Sequence, residues 1–130
     1  MRELDLSFNL LSGSQTLPRL PNLRIINLDF NKITKISSIK GLRKLESLSL
    51  QGNQINDFEN VEILDPLIEL KELNLQQNQI SSLQNIKNVP NLDKLNLSEN
   101  PISVIFPDAF SQLNNLGTLQ LDKIKLQDPE

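Results

Sequence analysis

Two carboxylates, Asp5 and Asp29, are the side chains here most suited to chemistry. Acids brought together on one surface can act as general acid and base, or bind calcium through their oxygens. Neither use is well supported, because the two occupy non-corresponding places in the stretches that carry them and no glycine-supported loop frames either. The remaining inventory is thinner. The 130 residues contain no histidine and no cysteine, which removes the commonest metal ligand and acid–base group and all thiol chemistry. Glycine-rich phosphate loops and Ser/His/Asp or Cys/His sets are absent as well. Asn96-Leu97-Ser98 fits a glycosylation acceptor, yet it lies where a strand is expected and arises from a recurring pattern. The chain reads as a non-enzyme with no metal and no cofactor.

What would position any functional residue is that recurring pattern. Residues 45–55 read LESLSLQGNQI, and the same frame returns as MRELDLSFNLL, LRIINLDFNKI, LKELNLQQNQI, LDKLNLSENPI and LGTLQLDKIKL. Its form is L-x-x-L-x-L-x-x-N-x-I/L. Leu48 and Leu50, two apart, share one side of an extended segment while Ser49 takes the other. One such strand cannot bury its apolar side alone, but stacked copies can, as a parallel sheet over a leucine core. An Asn follows each of the first five strands, at Asn9, Asn31, Asn53, Asn78 and Asn100. Its amide both donates and accepts, so it can satisfy backbone groups of the turn and of a neighbouring repeat.

The frame resembles the leucine-rich repeat. That resemblance implies an α/β solenoid, a right-handed horseshoe with a parallel concave sheet of about six strands. Short helical or 3₁₀ turns would form its convex side. Repeats start at Met1, Leu23, Leu45, Leu70, Leu92 and Leu116, within one domain spanning 1–130. Unit lengths of 22 residues, with Ile33, Ile36 and Ile39 at threefold spacing, are similar to the class typified by the leucine-rich regulatory subunit of type-1 protein phosphatase. That class is mostly intracellular and holds other proteins. The fifth repeat departs from it. It is 24 residues long, and its Phe106-Pro107 with Phe110 resembles the form common in extracellular members, with both rings expected in the core.

Along the convex return of the third repeat, three extra residues add about one helical turn. A longer helix is expected there, with Phe58, Val61, Leu64 and Leu67 inward and Glu59, Glu62, Asp65 and Glu69 on a solvated acidic face. Leu17 and Leu20 face inward in the first repeat, where Ser14 takes a slot that larger residues fill elsewhere. Ile124 replaces Asn in the sixth repeat, an omission that fits a strand with no following turn to serve. Met1 in a leucine position and Ile124 leave the core thinly covered, so end-to-end self-association, or membership of a longer array, is expected.

Composition narrows the partner. A net charge of −3 lacks the basic footprint of a direct nucleic-acid binder, and the absence of Tyr and Trp argues against stacking on RNA bases. No apolar run approaches the roughly 18 residues of a membrane span. Lack of cysteine favours an intracellular, cytoplasmic or nuclear, setting. The leading expectation is a protein-interaction scaffold or adaptor that binds another protein on its concave face. A ribonucleoprotein component, and a structural piece of a cytoskeletal or axonemal assembly, are the alternatives. Beside the Asn column stand Phe8 and Phe30, then Gly52, Gln77, Glu99 and Lys123. Two rings one strand apart on a polar face make the best anchor available. The expected partner site is Phe8, Phe30 and Ile25, with Asp5, Asp29 and Gln51 setting polar register.

Overall fold

A computed structural model describes residues 1–12, 20–35, 42–56 and 67–126. Each copy of the frame forms a three-residue strand centred on its second leucine position: β1 Glu3–Asp5, β2 Ile25–Asn27, β3 Ser47–Ser49, β4 Glu72–Asn74, β6 Lys94–Asn96 and β8 Thr118–Gln120. These pair in the order β1-β2-β3-β4-β6-β8, all parallel. The register runs Glu3, Ile25, Ser47, Glu72, Lys94, Thr118, in steps of 22, 22, 25, 22 and 24 residues. Repeat starts take the same steps. Length differences between repeats are therefore absorbed on the convex return and never shift the sheet.

Period-two alternation decides which way each residue faces. Ile26, Leu48, Leu73 and Leu95 point inward, joined from the frame's outer leucine positions by Leu23, Leu45, Leu70, Leu92, Leu28, Leu50, Leu75 and Leu97, all buried. Leu4, Leu6, Leu116 and Leu121, in the outermost repeats, are only partly buried against this core.

On the convex side the expected short turns form, closed by i→i+3 bonds such as Ala109 N–H to Phe106 O and Leu113 N–H to Phe110 O (both 3.0 Å), but not as regular helices. Among the described residues no helix forms; instead β5 (Ser82–Leu83) and β7 (Val104–Ile105) make a second, two-stranded parallel sheet. Successive return segments run extended at matching positions, so their backbones pair sideways, as Ser103 N–H to Ser81 O and Phe106 N–H to Leu83 O (both 2.9 Å) also show. Phe106 is not core: it lies exposed with Val104 on one side of this strand, while Ala109 and Leu113 take the buried places and Phe110 packs at the core's margin. The convex helix expected around Glu59, Glu62 and Asp65, with Phe58, Val61 and Leu64 inward, falls outside the described residues. So do Ser14, Leu17, Ile36 and Ile39. Leu67 and Leu20 do reach the core, the first fully and the second in part.

Repeats are joined by the asparagines. Asn53 Nδ2 donates to Leu50 O of its own repeat and to Leu28 O of the one before, both at 3.0 Å. Its Oδ1 accepts from Ile33 N–H, also in the preceding repeat, at 3.0 Å. Asn31, Asn78 and Asn100 repeat all three contacts, whereas Asn9 bonds only within its own turn, to Leu6 O and Ser7 O. The amide thus reaches backward. This corrects the reading of Ile124: the asparagine missing there would have served the fifth repeat, at Ile102 N–H, so a following turn has no bearing on its loss.

Asn53→Leu should unfold at a clearly lower denaturant concentration than Gln54→Leu. The first strands the buried Ile33 N–H, at a cost on the order of 1–3 kcal/mol, and takes one of two amide donors from Leu28 O and Leu50 O, which keep Asn31 and Asn78. Gln54 is exposed and contributes through its backbone N–H to Ile33 O, which the change leaves alone, so its effect should stay within about 0.5 kcal/mol. Equal urea midpoints would refute the ladder's role.

Candidate binding face

Immediately before each Asn the backbone turns out of the strand through the left-handed region. Phe8, Phe30, Gln77, Glu99 and Lys123 have φ of 56–58°, and Gly52 has 72°. Non-glycine residues seldom adopt this conformation. It is held here by main-chain bonds that continue the parallel ladder into the turn: Phe8 N–H to Asp29 O (2.9 Å), Phe30 N–H to Gln51 O (2.7 Å), Gly52 N–H to Gln76 O (3.0 Å). Successive residues of this column consequently stand one strand spacing apart, about 4.8 Å.

At that spacing two rings stack face to face. Phe8 and Phe30 have centroids 4.8 Å apart and planes inclined by 17°. Beneath them Gly52 supplies the seat, because a β-carbon there would stand 2.6 Å from Phe30 Cε1 and still closer to Cδ1. Phe30 is accordingly 39% exposed and Phe8, on the outside of the stack, 76%. Leu10, two residues past Phe8, is 77% exposed.

The polar columns are built mainly to close the strand ends. Asp5 Oδ1 accepts from Ser7 N–H (2.9 Å) and Ser7 Oγ–H (2.6 Å), and these bonds hold its carboxyl below the usual carboxylate pKa. Asn27, Asn74 and Asn96 cap the backbone two residues on in the same way. In the third repeat Ser49 stands in that column, and Asp29 of the neighbouring repeat substitutes: its Oδ1 accepts from Gln51 N–H (2.9 Å) and from the Ser49 hydroxyl. Likewise Ser98 Oγ accepts from Asp122 N–H, 3.0 Å away, beside Gln120. Asp5 and Asp29 thus serve separate turns with separate partners and do not form a shared-proton pair.

The sequence model of the leucine rich repeat matches residues 1–55 and 68–125. The chain is a leucine-rich repeat protein. Among curated proteins none matches its sequence. Among solved structures, internalin C2 (inlC2) of Listeria monocytogenes strain 4b F2365 is similar, with 33% identity and TM-score 0.72 over 93% of this chain and 51% of that one. Internalin inlF of the same strain gives 26% identity and TM-score 0.69 over 98% of this chain and 43% of that one. The leucine-rich repeat chain therefore spans about half the length of the internalins it matches.

Of the residues singled out from sequence, the fold brings Phe8 and Phe30 into contact and sets Asp5, Asp29 and Gln51 on the neighbouring turns. Gln51 is drawn into a side-chain network, donating to Gln77 Oε1 (3.2 Å) and accepting from Asn74 Nδ2 (3.4 Å). Ile25 stands apart. It opens β2, five residues before Phe30, which in extended chain is up to about 16 Å. The sequon is part of the sheet: Asn96 Nδ2 donates to Gln76 Oε1 and its Oδ1 accepts from Ser98 N–H. Sequence reasoning passed over the column of Glu3, Ser47, Glu72, Lys94 and Thr118, in which Ile25 also stands. The signal was available, since these positions precede the Asp5 column by two and period-two alternation puts both on one face. Glu72 and Lys94 pair across strands at 3.6 Å.

Because a β-carbon at Gly52 meets both the positive φ, about 1–2 kcal/mol, and the Phe30 ring, Gly52→Ala should cost more than that figure in the native chain and fall back toward it in a Phe30→Ala background. Urea titration of the four chains of this double-mutant cycle reads the difference. Additive losses would show that ring and glycine are not coupled.

Proposed function

We infer that the concave side of this leucine-rich repeat chain binds another protein at the strand-exit edge of its first two repeats, without catalysis. As a member of its family the chain is a protein-interaction domain in the general sense, and stacked repeats present curved faces suited to that task. The single observation that carries the finer reading is the Phe8–Phe30 stack, an aromatic pair left exposed on a face whose other side chains, Ile25 apart, are mostly polar. Covering two rings can contribute roughly 3–6 kcal/mol before the costs of association are subtracted, with Phe8, the more exposed, giving the larger share. Asp5 offers a polar contact beside the rings, and Ile25 lies within reach of a partner that follows β2 toward its start. Asp29 and Gln51 meet a partner only through atoms not already used between repeats.

Capture from an extract of the source cells, read by mass spectrometry, tests this. Phe8→Ala/Phe30→Ala should keep its unfolding midpoint to within a modest shift and lose the captured protein by tenfold or more, about 1.4 kcal/mol. Undiminished capture by the folded double variant would place the contact elsewhere.

A further inference from the structure

The charge around the ring stack is distributed unevenly, and the unevenness selects a partner. In the columns that face the concave side, the first three repeats carry Glu3, Asp5 and Asp29 and no cation. The last three carry Glu72, Glu99 and Asp122 against Lys94 and Lys123, with Glu72 and Lys94 already paired at 3.6 Å. One half of the face is close to self-neutralised. The half with the rings holds three carboxylates that no lysine or arginine on the same face answers. Among the described residues Arg2 makes no ion pair with Glu3 or Asp5, and Arg24 is engaged with Glu46 at 3.4 Å.

Geometry adds register. Glu3 and Asp5 are exposed at the two ends of β1, two residues apart on one face and so about 6.6 Å from each other. Asp5 is oriented by Ser7 through Oδ1, and its Oδ2 has no hydrogen-bond partner among the described residues. Beyond it, three residues on, comes the open outer face of Phe8, where a guanidinium is attracted as well as an apolar side chain.

Resting on the ring-stack reading above, we propose that the partner docks here through an extended basic–apolar segment: Lys or Arg at i and i+2 over Glu3 and Asp5, then an apolar side chain against Phe8 and Phe30. Two basic residues at that spacing in an extended chain repeat the spacing of the two carboxylates. The apolar residue covers the rings, and Arg is preferred to Lys because its planar fork matches a carboxylate and stacks on an aromatic face.

Fluorescence anisotropy with three labelled peptides decides the matter. The first has two arginines one residue apart followed by a leucine pair; the second has glutamates for the arginines; the third has serines for the leucines. Only the first should bind measurably. Its affinity should fall at least about fivefold between about 50 mM and about 500 mM salt, as screening shortens the reach of the carboxylates. Glu3→Gln/Asp5→Asn should weaken it by a similar factor with no change in unfolding midpoint, since Asn27, Asn74 and Asn96 make the same turn as Asp5 without its charge. Equal binding of the glutamate peptide, or undiminished binding to the neutralised variant, overturns the proposal. If cellular capture depends on the rings yet ignores salt and neutralisation, the charge proposal alone fails. If capture ignores the rings, the reading beneath it fails.

Discussion

Each interior asparagine of the ladder holds four backbone groups at once, three carbonyls and one N–H, and two of those four belong to the repeat before it. A buried group left without such a partner costs about 1–3 kcal/mol, so the turn must be shaped to bring the amide inward. That requirement explains the preceding residue. For Asn53 to enter the core side, residue 52 has to leave the strand through positive φ, and the same holds at 30, 77 and 99; residues 8 and 123 keep this turn although Asn9 is exposed and Ile124 replaces the amide. The side chain before the amide is thereby turned away from the core. Stability of the stack and display of the ring column are two consequences of one turn.

How much of this the sequence reveals can be judged residue by residue. The strands, their parallel order and their register follow from the repeat starts, because leucine burial tolerates no other phase: a slip by one residue would send Leu48 outward and Ser49 inward. The Phe8–Phe30 contact follows too, from the strand spacing. Less legible is what each polar residue does. Asp5 and Asp29 stand in different columns, and the sequence does not show that the first caps its own turn while the second caps its neighbour's, where Ser49 is too short to cap residue 51. Gly52 reads as an ordinary turn glycine, and only the position of the Phe30 ring shows that its missing β-carbon is occupied space. The convex side is hardest. Threefold spacing of apolar residues suits a helical turn, and i→i+3 turns do close residues 106–116, but residues 82–83 and 104–105 run extended and pair, because lateral backbone partners exist only once the repeats are stacked.

The backward reach of the amide also changes how a degenerate repeat is understood. With Ile124 in the ladder position, the sixth repeat contributes an apolar side chain at the margin of the core while the fifth keeps its own amide, Asn100, on Leu75 O, Leu97 O and Ile80 N–H. What joins the sixth repeat to the fifth is strand pairing at β6–β8 together with the Lys125 N–H to Ile102 O bond and Ser98 Oγ on Asp122 N–H. The main-chain pairing common to the other repeats is kept, and one hydroxyl is added, without the amide.

Neighbouring columns of the same turn differ sharply in the freedom they allow. At the ladder position five of six repeats carry Asn, since only that side chain, at that length, supplies donated and accepted bonds together. One residue earlier the six repeats carry Phe, Phe, Gly, Gln, Glu and Lys. There the main chain makes the structural bond, through the N–H to the next repeat in every case from Phe8 to Glu99, and the side chain is released. Positive φ costs a non-glycine residue about 1–2 kcal/mol, much the same for each, so the penalty selects no particular side chain. A column whose backbone is fixed and whose side chains, Gly52 beneath Phe30 apart, lie outside the core is where recognition chemistry can vary without disturbing the fold. In this chain it varies from aromatic at one end to charged at the other, and the aromatic end coincides with the carboxylates that no cation on that face balances.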